Sequence, residues 1–215
     1  TDAGRGKLST HIDLRQEAGR ENLRRLIAEA DILVQGYRPG GLERWGFGPE
    51  NVAKMRPGII HVSLSAYGHV GPWSSRRGFD SLVQTASGIN FAEAEAAGVD
   101  GPKALPCQAL DHASGYFMAA SAMATLARRA NEGGSWHIRV ALARTGRWLQ
   151  GLGRVGNGFD FAAPDESDMD DFLEESQSSY GMIMAVRHAA QLSETPAHWT
   201  RPSMPLGSHP PVWPD

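Results

Sequence analysis

Two short apolar runs, at residues 31–35 and 59–64, constrain the fold of this chain more than any other feature. The run at 31–35 is compact and apolar, which is typical of buried strands in parallel sheets, and 59–64 has the length of a strand, with His61 and Ser63 between its apolar residues. Apolar residues at helical spacing over 17–30 precede the first run, and a second helix is expected at 49–55. With a further strand expected at 9–14, the alternation predicts an α/β layered domain.

The same alternation continues to about residue 150 and then stops. The expected elements are a loop at 68–78, a helix at 79–91, a loop at 92–106, the longest helix at 113–130 and a strand at 137–142. Residues 1–150 are therefore predicted to form the domain core. A glycine-rich and acidic linker is predicted at 151–180, and an extended, proline-rich tail at 181–215 is predicted to pack back on the core.

Composition argues against several classes of function. The chain has 215 residues, 41% of them hydrophobic, which suits one sizeable core, and its net charge of −3 offers no basic surface for nucleic acid. The single cysteine, Cys107, excludes an internal disulfide and a cysteine-based zinc site, and the eight histidines lack metal-binding spacing. No apolar stretch is long enough to cross a membrane. We therefore expect a soluble, cytoplasmic protein with no metal, no nucleic-acid partner and no membrane span.

Asp111 stands at the start of the longest predicted helix, downstream of the loop Tyr37-Arg38-Pro39-Gly40. A carboxylate in this position can cap the helix by accepting hydrogen bonds from free backbone N–H groups. It can also act as a nucleophile whose negative charge those groups stabilise. The residues alone leave both interpretations open.

Four motifs follow one another in a fixed order. The longest is Ala-Asp-Ile-Leu-Val-Gln-Gly-Tyr-Arg-Pro-Gly-Gly-Leu-Glu-Arg-Trp-Gly-Phe-Gly at 30–48. The others are Arg-Gly-Lys-Leu-Ser at 5–9, Ser-Ala-Tyr-Gly-His-Val-Gly-Pro at 65–72 followed by Arg-Gly-Phe-Asp at 77–80, and Leu-Asp-His-Ala-Ser-Gly at 110–115. Together they resemble the class III CoA-transferases of the CaiB/BaiF type, a family that includes formyl-CoA transferase, carnitine CoA-transferase and α-methylacyl-CoA racemase.

The resemblance implies a fold and a reaction. The family's large domain is a Rossmann-like parallel sheet, a small domain accompanies it, and two chains interlock as a homodimer. Asp111 falls on the family's nucleophile, which attacks an acyl-CoA and then carries CoA as an aspartyl-CoA thioester until a second carboxylic acid takes it. Acyl-CoA and a carboxylic acid are thus the implied substrates, and no metal is implied.

The resemblance also implies contacts with coenzyme A. Lysine and arginine side chains would hold its phosphates, glycines would let the backbone approach, and aromatic rings would offer flat faces. The matching positions are Lys7, Gly36, Tyr37, Arg38, Gly41, Trp45, Arg77, Gly78, Phe79 and Asp80.

Phe79 separates two activities within the family. Relatives of the racemase branch carry a histidine at this position, where it moves a proton. A phenylalanine cannot accept a proton, so a racemase is the less favoured expectation.

Two family elements have no counterpart in the sequence. These are an N-terminal CoA-binding strand and the small domain with its glycine-rich loop, so the expected Rossmann-like sheet is incomplete. The chain is accordingly expected to be a C-terminal or truncated portion of a longer transferase, whose closing segment its tail at 196–214 resembles. Two alternatives remain: a partner chain supplies the missing elements, or the chain is a catalytically silent CoA-binding or scaffolding subunit.

Overall fold

The computed structural model describes residues 4–162, 164–165 and 167–214. The helices are α1 Glu17–Glu29, α2 Pro49–Met55, α3 Asp80–Ala86, α4 Ile89–Ala97, α5 Ala109–Glu132 and α6 Leu142–Gly151. The strands are β1 Ile32–Gln35, β2 Ile60–Ser65, β3 Trp136–Ala141, β4 Leu173–Ser178 and β5 Gly181–Val186. Short 3₁₀ turns lie at Glu43–Trp45 and Ser167–Phe172.

The chain divides into two compact units, Arg24–Phe159 and Thr1–Leu23 together with Asp160–Asp215. The unit Arg24–Phe159 contains a parallel sheet with the strand order β1-β2-β3. Ile60 pairs with Ile32 on one side and with Trp136 on the other. The α/β class and the parallel sheet expected from the two apolar runs are confirmed.

One face of the sheet packs against α5. Ile60 and Val62 of β2 are fully buried against Ala122, with Met118 and Leu126 of the same helix beside them. Side chains on a strand alternate between faces, so His61 and Ser63, on either side of Val62, point the other way. The first turn of α5 is held by a second cluster, in which Leu110 contacts residues of α3, α4 and α6.

The opposite face of the sheet carries a cluster of histidines around Ser63. The Ser63 hydroxyl lies 3.1 Å from Nε2 of His69 and 2.9 Å from Nε2 of His137. His61 and His137 are register partners on β2 and β3, with ring centroids 4.9 Å apart. Burial, together with the nearby His61, Arg139 and His69, lowers the pKa of His137 to about 4, against the opposite effect of Glu43.

This cluster predicts that the protein loses stability in mild acid. An unfolded histidine titrates near 6.5, whereas folded His137 titrates at about 4, so the unfolded chain binds the extra proton between these values. The free energy of unfolding therefore falls as the pH is lowered from about 6.5 to about 4. We expect His137→Gln to flatten this dependence in urea unfolding at pH 7 and pH 5. The matched variant His198→Gln, at an exposed histidine of the other unit, should leave it unchanged.

The second unit contains an antiparallel hairpin, in which β4 pairs with β5. Arg5 ties the N-terminal arm to it: Nη1 donates to Glu174 Oε1 at 2.8 Å, and Nη2 donates to the Val186 carbonyl at 3.1 Å. The hairpin crosses residue 180, where the extended tail was expected to begin. Its first strand, β4, contains two acidic residues and is half exposed. It therefore lacks the apolar pattern that would indicate a strand in the sequence.

Two expected elements are wrong in detail. The strand at 9–14 does not form, because the backbone of Ser9 bonds the C-terminal segment: His209 N–H donates to its carbonyl at 2.8 Å, and its own N–H donates to His209 Nδ1 at 3.0 Å. The helix at 79–91 is divided into α3 and α4. Gly88 between them has a φ of 79°, a left-handed conformation that breaks a helix.

Candidate functional site

The carboxyl edge of the sheet gathers most of the residues that the sequence singles out. Loops 36–42 and 66–79 follow β1 and β2 at this edge. The far end of α5 lies at the opposite edge, since Arg129 bonds Gly58 and Asp31, which precede β2 and β1. The first turn of α5 therefore lies at the carboxyl edge. In open parallel sheets, ligands bind at this edge.

Asp111 lies in the first turn of α5, with an exposed side chain. The helix begins four residues earlier than expected, at Ala109, so Asp111 is inside the helix and the N-cap is Gln108. The interpretation of Asp111 as an N-cap is therefore wrong. Burial raises the pKa of the Asp111 carboxyl, the charge of Asp80 raises it further, and His112 partly opposes both.

Asp80 binds the backbone of Asp111. Its carboxylate is fully buried, and Oδ2 accepts the Asp111 N–H at 2.8 Å. The N-cap Gln108 makes no side-chain capping bond, so Asp80 of α3 supplies an acceptor for one free N–H of that first turn. Asp80 has 0% exposure, and its carboxylate is engaged in this contact with Asp111.

Gln84 completes a network that the sequence analysis did not identify. Its Nε2 donates to Asp80 Oδ1 and, at 3.2 Å, to the Cys107 carbonyl, while its Oε1 accepts the Leu105 N–H at 3.1 Å. Asp80 and Gln84 are four residues apart on α3, and a pair at this spacing faces the same side of a helix. That spacing is the one signal in the sequence that could have indicated the pair.

The remaining residues of the second loop lie directly before Asp80. Arg77 is exposed and Phe79 is 83% exposed, so both side chains are available to a ligand. A Cβ on Gly78 would lie 2.8 Å from the Cβ of Ala66. Only glycine lets this loop lie so close to the end of β2, and the loop in turn places Asp80 beneath Asp111.

The loop after β1 presents its residues at the same edge. Gly36 and Arg38 are exposed, and Tyr37 is 67% exposed. The Gly41 N–H donates to the Arg38 carbonyl at 2.8 Å in a tight turn, where an added Cβ would meet that same oxygen at 2.8 Å. Trp45 is half-buried, and the guanidinium of Arg44 lies 5.3 Å from its ring centroid.

Lys7 belongs to the other compact unit. Its Nζ donates to the Arg5 carbonyl at 3.4 Å and lies 5.8 Å from the ring centroid of Trp199. The structure thus brings together Arg77, Gly78, Phe79, Asp80 and Asp111, places the loop after β1 at the same sheet edge, and leaves Lys7 in its own unit.

Two further properties bear on the class of site. Within the described part of the chain, no group of histidine, cysteine, aspartate and glutamate side chains is arranged to hold a metal ion. Over the same residues, no helix has the length and apolar character needed to cross a membrane.

A parallel sheet that presents a carboxylate and two exposed loops at its carboxyl edge defines an α/β protein with a candidate ligand site at that edge. Comparison with known families gives the class. The model of CoA-transferase family III matches residues 1–157, and the chain belongs to this family.

Three relatives illustrate the similarity. The probable fatty acyl-CoA transferase Rv3272 of Mycobacterium tuberculosis is 34% identical over 138 residues, which cover 64% of this chain and 34% of the relative. Its crystal structure superposes with a TM-score of 0.64 at 33% identity and covers 69% of this chain and 41% of that one. The beta subunit of succinyl-CoA–L-malate CoA-transferase of Chloroflexus aurantiacus is 31% identical over 143 residues, or 64% of this chain and 34% of the relative. A CaiB/BaiF family protein of Brucella suis has a TM-score of 0.62 at 27% identity and covers 83% of this chain and 48% of that one.

The chain spans about a third of the length of these curated relatives. The α/β fold, the parallel sheet and the family resemblance of the four motifs are therefore confirmed. The expected ligand contacts and the nucleophile stay predictions.

Proposed function

We propose that this chain carries the nucleophile of a CoA-transferase, Asp111, which exchanges CoA between carboxylic acids through an aspartyl-CoA thioester. The observation that supports this proposal is the position of its carboxylate. Asp111 is exposed at the carboxyl edge of the sheet, in the first turn of a 24-residue helix, beside a loop with exposed Arg77 and Phe79.

The first half of the reaction would proceed in two attacks. An Asp111 oxygen attacks the carbonyl carbon of the acyl-CoA, the C–S bond breaks, and a mixed anhydride and CoA thiolate form. The thiolate then attacks the Asp111 carbon of the anhydride. The C–O bond on that carbon breaks, the donor acid leaves with one former Asp111 oxygen, and Asp111 holds CoA as a thioester.

The second half would reverse these steps with a new acid. The acceptor carboxylate attacks the thioester carbon, releasing thiolate and forming a second anhydride. Attack of the thiolate on the acceptor's carbonyl gives the new acyl-CoA and returns Asp111 as a carboxylate, now with one oxygen from the acceptor. No proton is gained or lost, so the exchange needs no general base. Free N–H groups of the first turn of α5 would stabilise the negative oxygen of each intermediate.

The residues expected to bind CoA would have three kinds of role, as cations, as glycines and as apolar rings. Arg38, Arg77 and Lys7 would hold CoA phosphates as cations, Gly36, Gly41 and Gly78 would admit its chain, and Tyr37, Trp45 and Phe79 would offer apolar faces. Phe79 lacks a proton-transfer group, which favours transfer of CoA over racemisation.

We also assign the chain to the cytoplasm, where its exposed Cys107 stays reduced. It would act there as a homodimer or with a partner chain. The second candidate function is a silent CoA-binding or scaffolding subunit.

One experiment tests the proposal and separates the two functions. The protein is incubated with acetyl-CoA or succinyl-CoA, treated with hydroxylamine, and mapped by peptide mass spectrometry. A thioester at Asp111 gives a hydroxamate at that residue, which supports the enzyme. CoA binding with an unmodified Asp111 would support the silent subunit and reject the transferase.

A further inference from the structure

The carboxylate of Asp80 is an unusual group to bury. Transfer of a charge from water to the interior is costly unless hydrogen bonds replace those to water. The hydrogen-bond partners of Asp80 among the described residues are the Asp111 N–H and the Gln84 amide, both neutral donors. The two bonds give each carboxylate oxygen of Asp80 a donor. Neither donor carries a positive charge, so the negative charge of Asp80 remains close to Asp111.

Gln84 of α3 also binds the segment that leads into α5. Its side chain is 1% exposed and bonds the N–H of Leu105 and the carbonyl of Cys107. Asp80 bonds residue 111 on the other side of the helix start. Two side chains of α3 therefore fix the backbone both before and after the N-cap Gln108.

We propose that Asp80 and Gln84 form a clamp that positions the nucleophile Asp111, and that the buried charge of Asp80 favours the covalent thioester over the free carboxylate. This inference rests on the proposed function. It adds a role for two residues that do not touch the reacting atoms.

The charge effect follows from the balance of the first half-reaction. Before the reaction, Asp111 and Asp80 carry like charges close together, which disfavours the ionised Asp111. In the thioester Asp111 is neutral, and its negative charge has left with the donor acid. The repulsion is relieved, so the equilibrium shifts toward the thioester. Protonation of Asp111 relieves the same repulsion, so both equilibria should change together when the charge of Asp80 is removed.

A charge-swap variant tests this effect. In the double variant Asp80→Asn with Gln84→Glu the introduced amide can donate to the introduced carboxylate, which can still accept the Leu105 N–H. The bond to the Cys107 carbonyl is lost, and the negative charge moves one side chain away from Asp111. With acetyl-CoA and succinyl-CoA as probes, we expect the equilibrium ratio of thioester to free enzyme to fall about tenfold, together with a lower Asp111 pKa followed by carbon NMR. The single variant Asp80→Asn gives the same comparison if the double variant does not fold.

Gln84→Ala tests positioning separately. It removes the bonds to Leu105 and Cys107 together with the bond to Asp80 Oδ1, so thioester formation should slow about tenfold. An unchanged rate would overturn the positioning role. An unchanged ratio and pKa in the charge-swap variant would overturn the charge effect.

Failure of the proposed function would be distinguishable from failure of the clamp. If the native protein forms no thioester, the transferase proposal is lost. The clamp is still tested without substrate, because the Asp111 amide proton should shift upfield in Asp80→Ala, where its acceptor is missing. An unshifted amide proton would reject the clamp by itself.

Discussion

Asp111→Asn is expected to abolish covalent capture of CoA, with a decrease of at least about a thousandfold in thioester formation from acetyl-CoA or succinyl-CoA. The amide is close in size to the carboxylate but carries no nucleophilic oxygen anion. Asp111 is exposed and its recorded contact with Asp80 uses the backbone N–H, so the variant should fold as the native protein does. Intact-mass measurement after incubation shows the adduct directly.

Asp100→Asn is the matched control for this variant. Asp100 is an exposed acid in the loop between α4 and α5, and its replacement removes the same charge without touching the first turn of α5. We expect this control to form the thioester at the native rate. Equal capture by the Asp111 variant and the control would reject Asp111 as nucleophile.

Leu110→Ala is expected to destabilise the unit Arg24–Phe159 by about 2–5 kcal/mol. Leu110 is fully buried, and its methyl groups lie where a Cβ on Gly146 would be 3.5 and 3.6 Å away. Gly146 of α6 therefore packs directly beside Leu110. Shortening Leu110 therefore leaves a cavity that α6 cannot fill without moving.

Urea unfolding measures this loss, with Leu82→Ala as the control. Leu82 lies on neighbouring α3 and is 51% exposed, so its truncation should change the free energy of unfolding by less than about 0.5 kcal/mol. A similar loss in both variants would show that Leu110 does not anchor the first turn of α5.

The sequence predicted those elements whose pattern is local. The apolar runs indicated β1 and β2, helical spacing indicated α1, and Pro49 at the first helical position indicated α2. The strand expected at 9–14 does not form, and the backbone of Ser9 instead bonds His209, 200 residues further along the chain. A local pattern cannot show which distant segment satisfies a backbone group.

The candidate site also combines residues that a local motif indicates with residues whose role depends on tertiary packing. Asp111, Arg77 and Phe79 were identified by motif, and topology places them at one sheet edge. The roles of Asp80 and Gln84 depend on the packing of α3 against the start of α5, which the sequence does not reveal. The histidine cluster depends on the register that pairs His61 with His137.

Transfer of an oxygen atom tests the central claim most directly. In the proposed exchange, Asp111 receives one oxygen from each acceptor acid and passes one to each donor acid. The protein is turned over in ordinary water with an acceptor acid whose carboxylate carries a heavy oxygen isotope, and the peptide that contains residue 111 is weighed. The account predicts one heavy oxygen on Asp111 after a single turnover, and heavy oxygen in the donor acid that later turnovers release. Formation of new acyl-CoA with no heavy oxygen on Asp111 would contradict it.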